Sequence, residues 1–285
     1  MSGQISFDDG AAYERYMGQW SQLVGNAFLG WLAPPPGLRW LDVGCGNGAF
    51  TELIVARCAP ASVTGIDPSE AQIAFARTRP ATRAAQFRLG GAMALPFPDA
   101  AFDAAVMPLV IVFVPDPATG VSEMVRVVRA GGLVAAYMWA PDDGSPYAAL
   151  QEAIRALGSP VPVPPNPEAS RMDALRDLWR AAGLEAVETR AITVQRTFED
   201  FDDYWMTILG GASVGPALAA MAPAPLTLLK AQIRAHRPAD AAGRISYSAV
   251  ANAVTGRVPG ARAGRSARPG EAGAGREVAM ARRLP

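Results

Sequence analysis

Leu41-Asp42-Val43-Gly44-Cys45-Gly46-Asn47-Gly48 decides the fold of this chain. An apolar strand, Trp40 to Val43, runs into glycines at every second position. A helical pattern follows, with Phe50, Leu53, Ile54 and Ala56 on one side. Strand, glycine turn and helix in that order open a nucleotide-binding α/β unit. Without a Cβ, the glycines let the backbone approach a ligand closely.

The spacing separates this loop from its relatives. It is G-x-G-x-G, whereas a dinucleotide fingerprint has G-x-G-x-x-G and a phosphate loop ends in Lys-Ser/Thr. Asn47 and Ala49 supply no such pair. Asp42 stands just before the turn, where its carboxylate would repel a pyrophosphate at the helix N-terminus. It suits a ligand whose near end is positive. S-adenosylmethionine fits, with an adenosine, an ammonium, a sulfonium and no phosphate. The plainer reading of the motif alone is a tight turn in a doubly wound sheet.

A second strand, Val63-Thr64-Gly65-Ile66, ends at Asp67, 19 positions after Gly48. An acid about 20 residues on accepts from ribose hydroxyls in dinucleotide-binding units. Taken alone, Asp67 could cap the helix opened by Pro68-Ser69-Glu70; with the glycine loop in front of it, ribose binding is the preferred reading.

These residues resemble the class I S-adenosylmethionine-dependent methyltransferases, nearest the small-molecule branch that includes quinone-biosynthesis enzymes. The resemblance covers about residues 12–140. It rests on Leu41 to Gly48, on Gly65-Ile66-Asp67-Pro68-Ser69, on Leu95-Pro96-Phe97-Pro98-Asp99 with Phe102-Asp103, and on Arg126 to Gly132. It implies an α/β, Rossmann-like, doubly wound and mostly parallel sheet of seven strands, the last antiparallel, with helical insertions as cover. It implies S-adenosyl-L-methionine as cofactor, a small-molecule methyl acceptor, and aromatics near the N-terminus, here Tyr16 and Trp20, closing over the cofactor. Aromatic faces suit a sulfonium. In the family an acid at the position of Gly91 contacts the adenine. Without it, backbone at Gly91, Ala92 and Met93 is expected to meet the adenine edge, with Met93 on the ring. The remaining expected cofactor contacts are Asp42, Gly44, Cys45, Gly46, Gly48, Phe50, Asp67, Pro68, Ile73 and Pro108.

Half of the 285 residues are hydrophobic and the formal net charge is zero, so no global field draws nucleic acid. Cys45 and Cys58 are too few for a disulfide framework, which fits a reduced, cytoplasmic protein. Met1 to Gly10 is polar and acidic, unlike a signal peptide, and the apolar run from Ala104 to Pro115 is too short to span a membrane. One lysine, Lys230, among many arginines suggests a GC-rich bacterial source.

Four regions are expected. Residues 1–37 form N-terminal lid and edge helices, stopped by Pro34-Pro35-Pro36-Gly37. Residues 38–140 form the cofactor-binding core, with strands at 86–89, 102–107 and 133–139 and helices at 69–79 and 121–129, the latter ended by Gly131-Gly132. Residues 141–259 complete the sheet with strands at 186–198 and 245–258 and carry the cover. Within them 145–158, 172–183, 201–209 and 216–236 read as helices, and 141–172 and 199–243 are expected to shape the acceptor site. The row Phe201, Tyr204, Trp205, Ile208, Leu209 is read as a packing face, with a substrate wall as the alternative. Residues 260–285, rich in Ala, Gly, Arg and Pro, are expected to be a loosely held tail.

No metal site is legible. The single histidine, His236, lies in a polar stretch and reads as a surface residue. Pro108-Leu109-Val110-Ile111 at the tip of the central strand offers no general base. The expected chemistry is methyl transfer driven mainly by proximity, to O, N or C of a small, fairly hydrophobic acceptor. Two rivals stand beside it. One is a cofactor-binding protein without turnover. The other is a nicotinamide-dependent oxidoreductase, disfavoured by the loop spacing and by Asp42.

Overall fold

The computed structural model describes residues 14–141, 144–209, 211 and 214–260. The expected tail, beyond Gly260, lies outside the described residues. Seven strands form one sheet in the order β3-β2-β1-β4-β5-β7-β6. They are β1 (Arg39–Val43), β2 (Ser62–Asp67), β3 (Ala85–Leu89), β4 (Phe102–Pro108), β5 (Val128–Trp139), β6 (Glu185–Phe198) and β7 (Ile245–Arg257). β1 to β5 pair in parallel, and β7 lies antiparallel between β5 and β6.

The central strands are apolar along their length because helices cover both faces. Alternation still sorts their side chains. Trp40, Ala104, Val106, Ala135 and Tyr137 join one cluster, and Leu41, Ala105, Met107, Val134 and Ala136 join the other. The first face is closed by α1 (Gln19–Leu32), through Trp20, Val24 and Phe28, and by α2 (Ala49–Arg57), through Phe50 and Ile54. The second is closed by α4 (Pro117–Val127), through Val121 and Met124, and by α6 (Met172–Ala181), through Leu175 and Trp179.

After β1 the chain steps outward to β2 and β3, then returns to place β4 on the other side of β1. Strand order reverses at that pair, and a crevice opens beyond its carboxyl ends. The pair is stapled at the opposite end: Asp103 accepts from the Arg39 backbone N–H at 2.8 Å and from its Nε at 3.0 Å, and also pairs with Arg129. These partners hold the Asp103 carboxyl well below its ordinary pKa.

Four expectations are corrected. The helix expected at 121–129 begins at Pro117, because Asp116 caps it through the Ala118 and Thr119 N–H groups. It ends at Val127, and Gly131-Gly132 sit inside β5, where the register with β4 jumps from Phe102↔Val128 to Ala104↔Leu133. The helix expected at 216–236 is two, α8 (Gly215–Ala220) and α9 (Pro223–His236). Pro223 drives Ala222 into extended backbone and breaks the run. Ala56 is exposed; Ala49 and Thr51 share the buried face of α2 instead.

α3 (Glu70–Thr78), α5 (Ala148–Ala156) and α7 (Phe201–Leu209) complete the helices used below. Phe201, Tyr204, Trp205 and Ile208 are buried in the first core cluster, as a packing face requires, while Leu209 is exposed. No described helix is long and apolar enough to cross a membrane.

Candidate active site

A cleft of about 1220 Å³ lies beyond the carboxyl ends of β1, β2, β4 and β5. Its floor is the glycine loop, where Gly44, Cys45, Gly46 and Asn47 face it together with Asp42, Asp67 and Pro68. Two glycines here have separate reasons. Gly44 has φ +73°, and a Cβ there would stand 2.4 Å from Val110 Cγ2, so it seats the loop against the β4 tip. Gly46 has φ +50°, and a Cβ would meet nothing closer than 4.0 Å, so it leaves open space on the cleft wall.

The two aspartates are held differently. Asp42 is fully buried; Thr51 Oγ1 donates to its Oδ2 at 2.7 Å, and its Oδ1 has no partner among the described residues. Burial first, and then the Asp67 charge, push its pKa up to about 7, against the Thr51 bond that lowers it. An orphaned acceptor in that state calls for a donor or cation in the cleft. Asp67 accepts from the Gly46 N–H through Oδ2 and from the Ser69 N–H through Oδ1, each at 2.9 Å. Burial raises its pKa too, and the two backbone donors oppose the rise. It therefore ties the loop to the next crossover while keeping lone pairs for a ligand. Ser69, not Asp67, is the cap of α3, accepting from the Gln72 N–H. Burial, followed by both aspartates, also raises the Cys45 pKa well above its ordinary value, so Cys45 stays a neutral thiol.

The opposite wall is apolar. Pro108, Leu109, Val110, Val112 and Phe113 line it at the end of β4, with Trp139 and Met138 from β5 and Pro162 to Pro164 beyond α5. Leu109 has φ +59°, a left-handed backbone for a bulky residue, held by its N–H to the Tyr137 carbonyl at 2.7 Å. α5 adds Ala148, Gln151, Glu152 and Arg155 at the rim.

A π-helical turn, Glu14–Gly18, closes the near side. Tyr16 and Met17 point into the cleft, and the Tyr16 ring stacks on Tyr147 at 4.0 Å with an interplanar angle of 16°. The Tyr147 hydroxyl donates to the Tyr16 carbonyl at 2.6 Å. Glu14 accepts from Asn47 of the glycine loop and pairs with Arg79. Arg79 also donates to the Asn47 carbonyl and to Glu52, each at 2.7 Å, so one guanidinium latches the turn to the loop.

Of the fifteen cofactor contacts expected from the sequence, nine line this cleft: Tyr16, Asp42, Gly44, Cys45, Gly46, Phe50, Asp67, Pro68 and Pro108. Trp20 does not. It is wholly buried, edge-on to Trp139 and tilted on Tyr247. Gly48 caps α2 at φ +81° behind the loop. Ile73 packs beneath it with Cys45, Ala76 and Phe87. Gly91, Ala92 and Met93 stand off the cleft wall, in a loop whose Gly90 N–H bonds the Asp67 carbonyl at 3.0 Å.

Among the described residues, 141–172 lines the cleft, as expected for a cover, and 199–243 does not. Ser21, Gln72, Tyr137, Trp139 and Tyr147 are cleft residues that sequence reasoning did not single out. The alternation of β5 was the available signal for Tyr137 and Trp139. Tyr147, on a loop, gave none. His236 sits exposed at the end of α9, bonded to the Gln232 carbonyl.

A protein family described as methyltransferase domain matches residues 41–136. The chain is 31% identical over 195 residues to a malonyl-[acyl-carrier protein] O-methyltransferase of Methylococcus capsulatus, a match covering 68% of this chain and 67% of that one. It is 42% identical over 96 residues to 2-methyl-6-phytyl-1,4-hydroquinone methyltransferase 2 of Oryza sativa, covering 34% of this chain and only 28% of that one. In fold it is similar to phosphoethanolamine N-methyltransferase 2 of Haemonchus contortus, solved with S-adenosyl-L-methionine: TM-score 0.56, 17% identity, covering 90% of this chain and 61% of that one. With the first of these relatives matched over two thirds of its length, and the loop, sheet order and cleft in agreement, the chain belongs to the S-adenosylmethionine-dependent methyltransferases.

Proposed function

We propose that this chain moves a methyl group from S-adenosyl-L-methionine to an O, N or C atom of a small, fairly hydrophobic acceptor. The observation that carries the reading is Asp42: a buried, half-partnered carboxyl on the wall of a cleft otherwise lined by glycine backbone and apolar side chains. The residues present suit the cofactor. Asp42 and Asp67 supply negative charge and lone pairs, and Gly46 leaves room for a ligand against the loop. Gly91, Ala92 and Met93, kept beside Asp67 by the Gly90 bond, are where an adenine edge would be met. When bound, the cofactor supplies an electrophilic methyl on a sulfonium.

The chain's own part is placement. Tyr16 and Tyr147 close one side, Leu109 to Phe113 keep the other dry, and the cleft holds the acceptor atom in line. No side chain at the β4 tip takes a proton, which favours an acceptor that ionises easily, such as a phenol or enol. The apolar wall favours a hydrophobic body. Two free, buried cysteines agree with work in a reducing bacterial cytoplasm.

Calorimetric titration with S-adenosyl-L-methionine, followed by transfer of its labelled methyl into acceptor extracts, tests the reading. Binding with transfer is expected. Binding without transfer to any extract would favour the cofactor sensor, for which the missing base speaks. Tight NAD binding with no S-adenosyl-L-methionine binding would end the proposal.

A further inference from the structure

A strap from Ser159 to Ser170 roofs the far wall of the cleft, and Pro160, Pro162, Pro164, Pro165 and Pro167 stiffen it. It starts where α5 ends. The Ser159 N–H bonds the Ile154 carbonyl at 3.2 Å, and Val161 is buried in the first core cluster. It lands on the other face of the sheet, where Ala169 is buried in the second cluster. The strap thus bridges both cores across the strand tips. Asn166 ties it down. Its backbone N–H donates to the Val112 carbonyl at 3.1 Å, and its Nδ2 donates to the Val114 and Pro115 carbonyls at 2.7 and 3.2 Å. Asn252 of β7 holds the landing, donating to the Ser170 carbonyl at 2.9 Å.

A segment pinned at both ends and built on proline does not reshape around its occupant. From 162 to 164 it offers the cleft pyrrolidine rings and a branched alkyl group, and the wall it is tied to offers Val112 and Phe113. None of these side chains carries a donor or an acceptor. Val163 is 60% exposed at the mouth, so this surface is open to an entering molecule. A flat aromatic body fits against such faces and stacks on Phe113, whereas a thick, puckered ring must push on a wall that does not yield. We propose that the roof selects an acceptor with a flat aromatic body running from the reacting atom under Pro162 to Pro164, and that Asn166 is the positioning residue that holds the roof to Val112. The inference rests on the function proposed above and narrows its acceptor class.

The test compares 4-phenylphenol with 4-cyclohexylphenol, which share the hydroxyl and the carbon skeleton and differ in a flat or a puckered outer ring. Calorimetry on the full chain, alone and saturated with S-adenosyl-L-homocysteine, reads both, so the roof is tested whether or not the nucleoside binds. 4-Phenylphenol is expected to bind on the order of tenfold more tightly, although the cyclohexyl compound is the more hydrophobic. Asn166→Leu keeps the volume and loses both side-chain hydrogen bonds. It should erase the preference and leave S-adenosyl-L-homocysteine binding unchanged. If that variant does not fold, Pro164→Gly, which frees the backbone, should lower the preference in the same way. Absence of nucleoside binding would end the function proposed above, while a flat-ring preference in the same experiment would still support the roof. Equal or tighter binding of 4-cyclohexylphenol, or no binding of either phenol, would overturn the roof. A variant that weakens both phenols alike and keeps their ratio would overturn the part given to Asn166.

Discussion

Asp42→Asn separates what the fold wants from what the site wants. In the folded chain the Asp42 carboxyl titrates at about 7, against an ordinary 3.8. A carboxyl raised on folding favours its neutral form, so its linkage runs opposite to that of a salt-bridged acid. Stability is fullest below the unfolded value and falls as pH rises from there to about 7. That difference of about 3 pK units is on the order of 4 kcal/mol against the apoprotein at pH 8. Asparagine removes the charge and keeps an acceptor for Thr51, but it leaves a buried N–H₂ where Oδ1 had no partner. That costs about 1–3 kcal/mol. The variant should therefore be more stable than wild type at pH 8 by ~1–3 kcal/mol, and the gap should close or reverse by pH 5. Urea denaturation across that range measures it. Under the function proposed above, S-adenosyl-L-methionine affinity should fall by about 10–100-fold in the variant at pH 8. In wild type it should rise about tenfold per pH unit below 7 and level off above, a dependence the variant lacks. A variant that is less stable at pH 8 by a pH-independent margin, or that binds the cofactor as well as wild type, would refute the electrostatic account of this site.

Three other outcomes follow from the packing and the ion pairs. Trp20→Ala should cost about 3–5 kcal/mol in urea, as for a large core side chain; unchanged stability with lost cofactor binding would instead restore its expected role as a cover. Arg79→Met unlatches the Glu14–Gly18 turn from the glycine loop and should cost ~1–3 kcal/mol, with a faster cofactor off-rate by stopped flow; an unchanged off-rate would show that the turn closes without it. Asp103→Asn should lower stability above about pH 4, and the difference should vanish as pH falls, because a carboxyl held low by Arg39 and Arg129 stabilises only while ionised. Acid denaturation curves whose separation does not narrow as pH falls below 4 would contradict this.

The core was legible because its signals are local. A buried strand, glycines at fixed spacing and an acid at the next strand end mark β1, α2 and β2 with no knowledge of what packs against them. The errors lie where a long-range partner decides. Trp20 and Tyr16 share one amphipathic stretch, and only the position of Tyr147 shows that the first faces the sheet and the second the cleft. Gly131-Gly132 looked like a helix stop because helix ends and bulges use glycine for the same φ. The far wall of the cleft takes residues from 141–172 and none from 199–243, since apolar residues at helical spacing read alike whether they face a cleft or Tyr247.

The interior position of β7 has a consequence during synthesis. Among the described residues β6 has no other sheet neighbour, and the far edge of β5 waits on the same strand. As the nascent chain leaves the ribosome, both present unpaired backbone until residues 245–257 emerge. Until then the Trp139 end of the cleft lacks its backing, and the half-made sheet offers an adhesive border to its neighbours.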